Sequence, residues 1–230
     1  MEVREALWVE LGSVSYAEAH RLQERCVEAR LAGAVPDLVL CCEHEGVVTL
    51  GRTSPPDEVV PAGVATVRVE RGGEATWHGP GQIVLYPIRR LEGSARDLHR
   101  ALRESEEVVI RALAPFGLVG ERVPGKTGVW VGRKKLCSLG LAVRRWITWH
   151  GLALNYRVDP RVWRGFNPCG LDAAVMSDVA TAAGSTAPSR ERVIEALRSA
   201  AAEVWGQRYR SLDRHALEEL LPDRSKDVNR

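Results

Sequence analysis

Apolar residues fall along this chain mainly in short runs, and only a few segments carry them at helical spacing. The runs ALWVELG (6–12), LVLCCE (38–43), VVTLG (47–51), VATVRVE (64–70) and IVLYPI (83–88) have strand length and end at turn residues, which predicts strands. TGVWVG (127–132), KKLCSLGLAV (134–143) and WITWHGLALN (146–155) predict three consecutive strands with alternating faces. A helix is predicted over 15–33, starting at Ser13 or Ser15 and stopped by Gly33. Ser94 with Asp97 fits a helix-opening box, the helix running to Pro115-Phe116-Gly117. Residues 189–206 predict another helix and 213–221 a shorter one. Two prolines with acids make 53–63 a loop, and 71–82 reads as a glycine-rich loop. Strands outnumber helices without regular alternation, so the expected fold is α/β of the α+β kind: a mixed β-sheet with helices packed on it.

Length and composition narrow the picture. The 230 residues suit one domain, expected over 1–222, with a charged tail at 223–230 expected to be disordered. A formal net charge of +2 gives no reason to expect a nucleic-acid partner. No apolar run is long enough to cross a bilayer, so no membrane association is expected. The opening MEVREALWVELG lacks a secretory signal, and a cytosolic location is expected. The five cysteines are odd in number and include no CxxC pair, which indicates neither a disulfide framework nor a zinc site. Only four lysines are present: Lys126, Lys134, Lys135 and Lys226.

Three segments carry chemistry. In Arg71-Gly72-Gly73-Glu74-Ala75-Thr76-Trp77-His78-Gly79-Pro80-Gly81-Gln82, glycines let backbone approach a ligand, and exposed N–H groups can bind a carbonyl or a phosphate. An ordinary glycine-rich turn explains the same residues if they stand alone. Neither a P-loop nor a dinucleotide fingerprint is present, so ATP and NAD have no support. Asn167-Pro168-Cys169-Gly170-Leu171 sets a cysteine between fixed and free φ, where backbone N–H groups would favour a thiolate and hold an oxyanion. A structural cysteine in a tight turn is the equal alternative. Strand alternation points Lys134 and Lys135 to opposite sides, with Lys135 on the face of Cys137 and Leu139. An amine on an apolar face loses hydration, which suits it as a base, while two solvated lysines at a turn are the simpler alternative. Among the histidines, His78 in the glycine loop is a pocket candidate, and His44 and His150 suit structural hydrogen bonding. His20, His99 and His215 lie on predicted helices as surface residues. No pair has zincin spacing, so no metal site is expected.

Taken together, these segments resemble the octanoyl-[acyl-carrier-protein]:protein N-octanoyltransferase, or lipoyl(octanoyl) transferase, family. The resemblance covers about residues 10–180. It rests on Glu43-His44 with Thr49-Leu50-Gly51-Arg52, the 71–82 loop, Gly128-Val129-Trp130-Val131, Lys135 with Ser138-Leu139-Gly140, His150 to Asn155, and Pro168-Cys169-Gly170, in that order. It implies the fold of biotin and lipoate protein ligase catalytic domains. It also implies Cys169 as nucleophile and Lys135 as its acid/base partner. Arg71, Gly72, Gly73, Thr76, Trp77, His78, Gly79, Gln82, Ser138, Leu139, Gly140, His150, Gly151, Leu152 and Ala153 would line the acyl pocket. The implied donor is octanoyl acyl carrier protein, which delivers the acyl group on its phosphopantetheine with no separate cofactor. The implied acceptors are lipoyl domains of 2-oxoacid dehydrogenase complexes and glycine cleavage H protein. Departures are Glu45 in place of proline, Trp163 and Phe166 before Pro168, and Cys137 at a position usually small, which raises the prospect of a second thiol near the pocket. An ATP-dependent ligase of the same fold and a non-catalytic acyl-binding module are the competing readings.

Overall fold

The computed structural model of the protein describes residues 3–60, 63–164 and 167–222; Phe166 and the 223–230 tail fall outside them. The main sheet has eight strands: β1 (Arg4–Val14), β2 (Leu38–His44), β6 (Gln82–Ile88), β7 (Gly120–Val123), β8 (Lys126–Val131), β9 (Lys134–Arg144), β10 (Ile147–Asn155) and β11 (Gln207–Leu212). Their order is β11-β1-β2-β6-β10-β9-β8-β7. The β1 strand pairs in parallel with both β11 and β2, and the other neighbours are antiparallel. The predicted mixed sheet is therefore present.

Its two faces explain the apolar runs. Along β1, Ala6 and Trp8 pack with one cluster while Leu7 and Val9 pack with another. The first cluster takes in α2 (Leu98–Leu113) and α4 (Arg190–Trp205); the second takes in α1 (Tyr16–Ala32) and α5 (Arg214–Leu220). A strand covered on both faces needs no polar side, so β1, β2 and β6 read as continuous apolar stretches. Helix ends follow their cap chemistry. The Ser15 side chain accepts from Glu18 N, and Gly33 closes α1 in the left-handed region at φ 75°, with Ala34 N donating to Ala29 O.

Three details differ from the sequence expectation. The edge strands β7 and β11 (GERV and QRYRSL) carry too few apolar residues to announce themselves. Asp97 alone caps α2, and Ser94 sits in a preceding 3₁₀ turn, Gly93–Ala95. The glycine-rich stretch 71–82 is not all loop: β5 (Thr76–His78) pairs antiparallel with β3 (Val47–Leu50), which also pairs in parallel with β4 (Ala65–Arg68). This small sheet packs Trp77 against Trp163, ring centroids 5.4 Å apart, and braces the segment that carries Cys169. No helix among the described residues is long and apolar enough to cross a membrane.

Candidate active site

A cavity of about 230 Å³ lies between β9, β10, the 71–78 segment and the Cys169 turn. Its mixed polar and apolar walls and open mouth suit a short acyl chain entering from solvent. Cys169 and Lys135 both line it. The first two residues of β9 show how the lysine gets there. Lys134 faces outward and its Nζ donates to Ala174 O at 2.6 Å, whereas Lys135 faces inward and is 2% exposed. Lys135 is held on both sides: it pairs with Trp130 of β8, bridges to Met176, and accepts from Ser177 N at 3.1 Å. No carboxylate of the described residues lies within 4.0 Å of its amine. Its Nζ sits 6.0 Å from the Trp130 ring centroid.

Room for that amine comes from Gly128, at φ 136°, next to the register shift between Val129 and Trp130 where β8 pairs with β9. A Cβ there would stand 2.6 Å from Lys135 Cε and 2.5 Å from Cys137 O. Glu106, buried on α2 and held by Arg103 and Arg122, accepts from Gly128 N at 3.0 Å and fixes this bulge. Gly128→Ala is expected to push the amine aside and slow turnover by about 100-fold, the cost of an ångström-scale misplacement. Steady-state rates set against a melting curve, which should show the variant still folded, check this.

Cys169 occupies the left-handed region at φ 56°, ψ 36°, uncommon for a residue with a Cβ. Pro168 before it and Gly170 after it, also left-handed at φ 64°, permit the turn. The expected free N–H groups are absent here: Cys169 N donates to Ala75 O at 2.7 Å, Gly170 N to Asn167 O and Leu171 N to Pro168 O. Charge near the sulfur comes from side chains instead. The Arg71 guanidinium lies within electrostatic range of Cys169, and burial lowers its own proton affinity. Arg71 is anchored to Thr49 O and Oγ1, both at 2.8 Å, while its buried Nε has no partner among the described residues. The Glu74 carboxylate, another cavity residue of the 71–82 segment, packs against Gly170.

The remaining candidates divide by position. Arg71, Gly73, Thr76 and His78 line the cavity from one side, and Ser138, Leu139 and Gly140 from β9; His150, Gly151, Leu152 and Ala153 line it from β10. Gly140 and Gly151 pair across the two strands. A Cβ on Gly140 would stand 2.8 Å from Gly72 O, so Gly140 admits the 71–73 backbone, while a Cβ on Gly151 would meet Pro87 and the Leu85 carbonyl of β6. Gly72, Trp77, Gly79 and Gln82 lie behind the wall. Gly72 N bonds to Leu141 O, and Gly79 fits beneath the Trp77 ring. Gln82 Nε2 donates to Trp77 O and Asn155 Oδ1. Cys137 is buried in the main core, outside the cavity. Tyr16, Val84 and Tyr86 join the wall from α1 and β6, brought there by tertiary folding.

The imidazoles of His78 and His150 on this wall, and of His44 behind it, are kept neutral by their surroundings. Burial lowers His44 against the opposing effect of its Val14 hydrogen bond, and its Nε2 lies 2.7 Å from the Tyr86 hydroxyl. Burial, with His44 and Arg71 nearby, lowers His78 far more. His150, at φ 55° in β10, is pushed down to about 3, by burial first and then by His20 and Arg71. An unfolded imidazole titrates near pH 6.5. Below that value the unfolded chain binds protons at His44 and His78 that the folded chain refuses. Stability is therefore expected to fall as pH drops from about 6.5 toward 5, by up to about 1.4 kcal/mol per pH unit for each histidine, and to be level above it. Urea midpoints at pH 8, 7 and 5.5 measure this; equal midpoints at 7 and 5.5 would contradict it.

Sheet, cavity and thiol turn together define a lipoyl protein ligase A/B catalytic domain, and that family's model matches residues 15–202. Curated relatives named octanoyltransferase include that of Geobacter sulfurreducens, 38% identical over 96% of this chain and 92% of that protein. That of Gloeobacter violaceus is 43% identical over 87% and 90%. The chain belongs to this family, among its octanoyltransferases. Solved structures share the fold. A bi-partite lipoate protein ligase from Thermoplasma acidophilum superposes with TM-score 0.73 at 16% identity, covering 94% of this chain and 90% of that one. A lipoate-protein ligase A bound with ATP gives 0.71 at 18%, covering 96% and 92%.

Proposed function

We propose that the protein transfers an octanoyl group from acyl carrier protein to a lysine of lipoyl domains, through a thioester on Cys169 with Lys135 as general acid and base. The observation that carries this reading is one cavity wall bearing both a partly accessible thiol and a buried amine with no carboxylate partner among the described residues. Lys135 takes the thiol proton, and the Cys169 sulfur attacks the donor carbonyl. The new C–S bond forms as the bond to the pantetheine sulfur breaks, and that sulfur leaves with the proton from Lys135. The acceptor lysine then gives a proton to Lys135 and attacks the acyl-enzyme; the C–N bond of the amide forms as the C–S bond breaks, and Lys135 returns the proton to the Cys169 sulfur. Thioester to amide runs downhill, so the cycle needs no ATP. The apolar walls contributed by Val84, Leu139, Leu152 and Ala153 suit an alkyl chain, each buried methylene contributing about 0.8 kcal/mol. Acceptors include the lipoyl domains of 2-oxoacid dehydrogenase complexes and glycine cleavage H protein. Five free thiols suit the reducing cytosol.

The test mixes octanoyl carrier protein, an unmodified lipoyl domain and the enzyme, without nucleotide. Octanoylated lipoyl domain at a rate proportional to enzyme, with ping-pong kinetics, is the expected result. Transfer only from free octanoate with ATP, releasing pyrophosphate, would make the protein a ligase; acyl binding without turnover would make it a binding module.

A further inference from the structure

We propose that His20, Glu70 and His150 form a binding site for a divalent transition cation, best matched by zinc, at the rim of the acyl cavity. One ligand atom from each of the three lies within 4.8 Å of the others. His20 Nε2 is 3.4 Å from Glu70 Oε2, and His150 Nε2 is 3.5 Å from the same oxygen. Both separations are long for N–H···O hydrogen bonds, which cluster near 2.9–3.0 Å. They equal the edge of a tetrahedron, roughly 3.4 Å for zinc bonds of about 2.1 Å. His150 Nε2 is buried, and apart from this stretched contact to Glu70 it meets no hydrogen-bond partner among the described residues. A buried polar atom without a well-formed hydrogen bond is rare and calls for an occupant.

The scaffold is fixed from three directions. His20 stands on α1, with its ring 5.7 Å from that of His150. His150 is locked on β10 by its left-handed backbone and by its N–H donating to Gln23 Oε1 at 2.9 Å. Glu70 lies two residues beyond the end of β4 and precedes Arg71, its side chain 56% exposed, so a cation can enter from solvent. Two imidazoles and one carboxylate select zinc, cobalt, nickel or copper over calcium or magnesium, which prefer oxygen ligands. Three protein ligands leave a fourth position for water. A bound ion would tie α1 and β10 to the residue before Arg71 and stiffen the mouth of the cavity. The three residues are far apart in sequence, so no spacing motif announces the site.

Titration of zinc and of cobalt into the Cys169→Ser chain, which removes the one partly accessible thiol, tests the proposal. One equivalent is expected to bind, with a cobalt spectrum of tetrahedral nitrogen and oxygen ligation lacking the sulfur-to-metal band. In that background His20→Ala and Glu70→Gln are each expected to weaken zinc at least about tenfold, since loss of even an outer partner costs 10–100-fold. His215→Ala, at an exposed His–Glu pair on α5, is expected to leave binding unchanged. No stoichiometric binding, or affinity undiminished in either the His20 or the Glu70 variant, overturns the site.

Discussion

Mixed with octanoyl carrier protein and no acceptor, the protein is expected to gain the mass of one octanoyl group; Cys137→Ser gains it equally, and Cys169→Ala gains none. The structure separates the thiols sharply. Cys26, Cys41, Cys42 and Cys137 are buried and Cys169 is not. Burial pushes the Cys26 and Cys41 thiols up to about 12, Cys42 well above its ordinary value, and Cys137 up against the opposing pull of Lys135. A thiol is a poor nucleophile until it ionises, so these four stay inert near neutral pH. Cys169 alone lies on the cavity wall where a donor carbonyl can reach it. Overall transfer by Cys169→Ala is expected to fall by several orders of magnitude, as removal of a covalent nucleophile does elsewhere. Intact-mass measurement decides the matter: an adduct that survives Cys169→Ala removes the acyl-enzyme from the mechanism.

How far such a prediction could be read from sequence depended on where the determining contacts lie. Strands β1, β2 and β6 were legible because helices on both faces demand continuous apolar runs. The edge strands β7 and β11 were not, since their outer sides meet solvent and need no pattern. Lys134 and Lys135 were legible as an outward and an inward residue because alternation is a local property of a strand. The surroundings of Cys169 were less so. Its flanking proline and glycine announced a tight turn, but only the fold reveals that Ala75, Asn167 and Pro168 consume the three N–H groups that local reasoning left free. In the 71–82 segment the cavity wall and the residues behind it share one motif. Short-strand pairing of Thr76–His78 with β3 separates Thr76 and His78, on the wall, from Trp77, packed on Trp163. His20 read as a surface residue of a helix; its neighbours Glu70 and His150 arrive from other elements.

Replacing Lys135 with alanine is expected to slow acylation of Cys169 by roughly 10²–10⁴-fold, the usual worth of a positioned acid or base, while Lys134→Ala stays near the parent rate. The contrast is sharp because the two lysines are chain neighbours of identical chemistry. One reaches across the surface to Ala174 O; the other is buried beside Trp130 on the cavity wall. An electrostatic role alone would require only positive charge, and Arg71 and Lys126 on the same wall would supply part of it after Lys135 is lost. A proton-transfer role requires an amine that can be neutral. Lys135→Arg keeps charge and length but not that capacity, because a guanidinium holds its proton throughout the accessible pH range. It is therefore expected to be nearly as slow as Lys135→Ala. In both variants acylation should rise steeply with pH, as hydroxide takes over the proton from the thiol. Single-turnover acylation rates from pH 6.5 to 9 distinguish the roles. An arginine variant close to the parent rate would leave Lys135 as a fixed charge and move the base elsewhere on the wall.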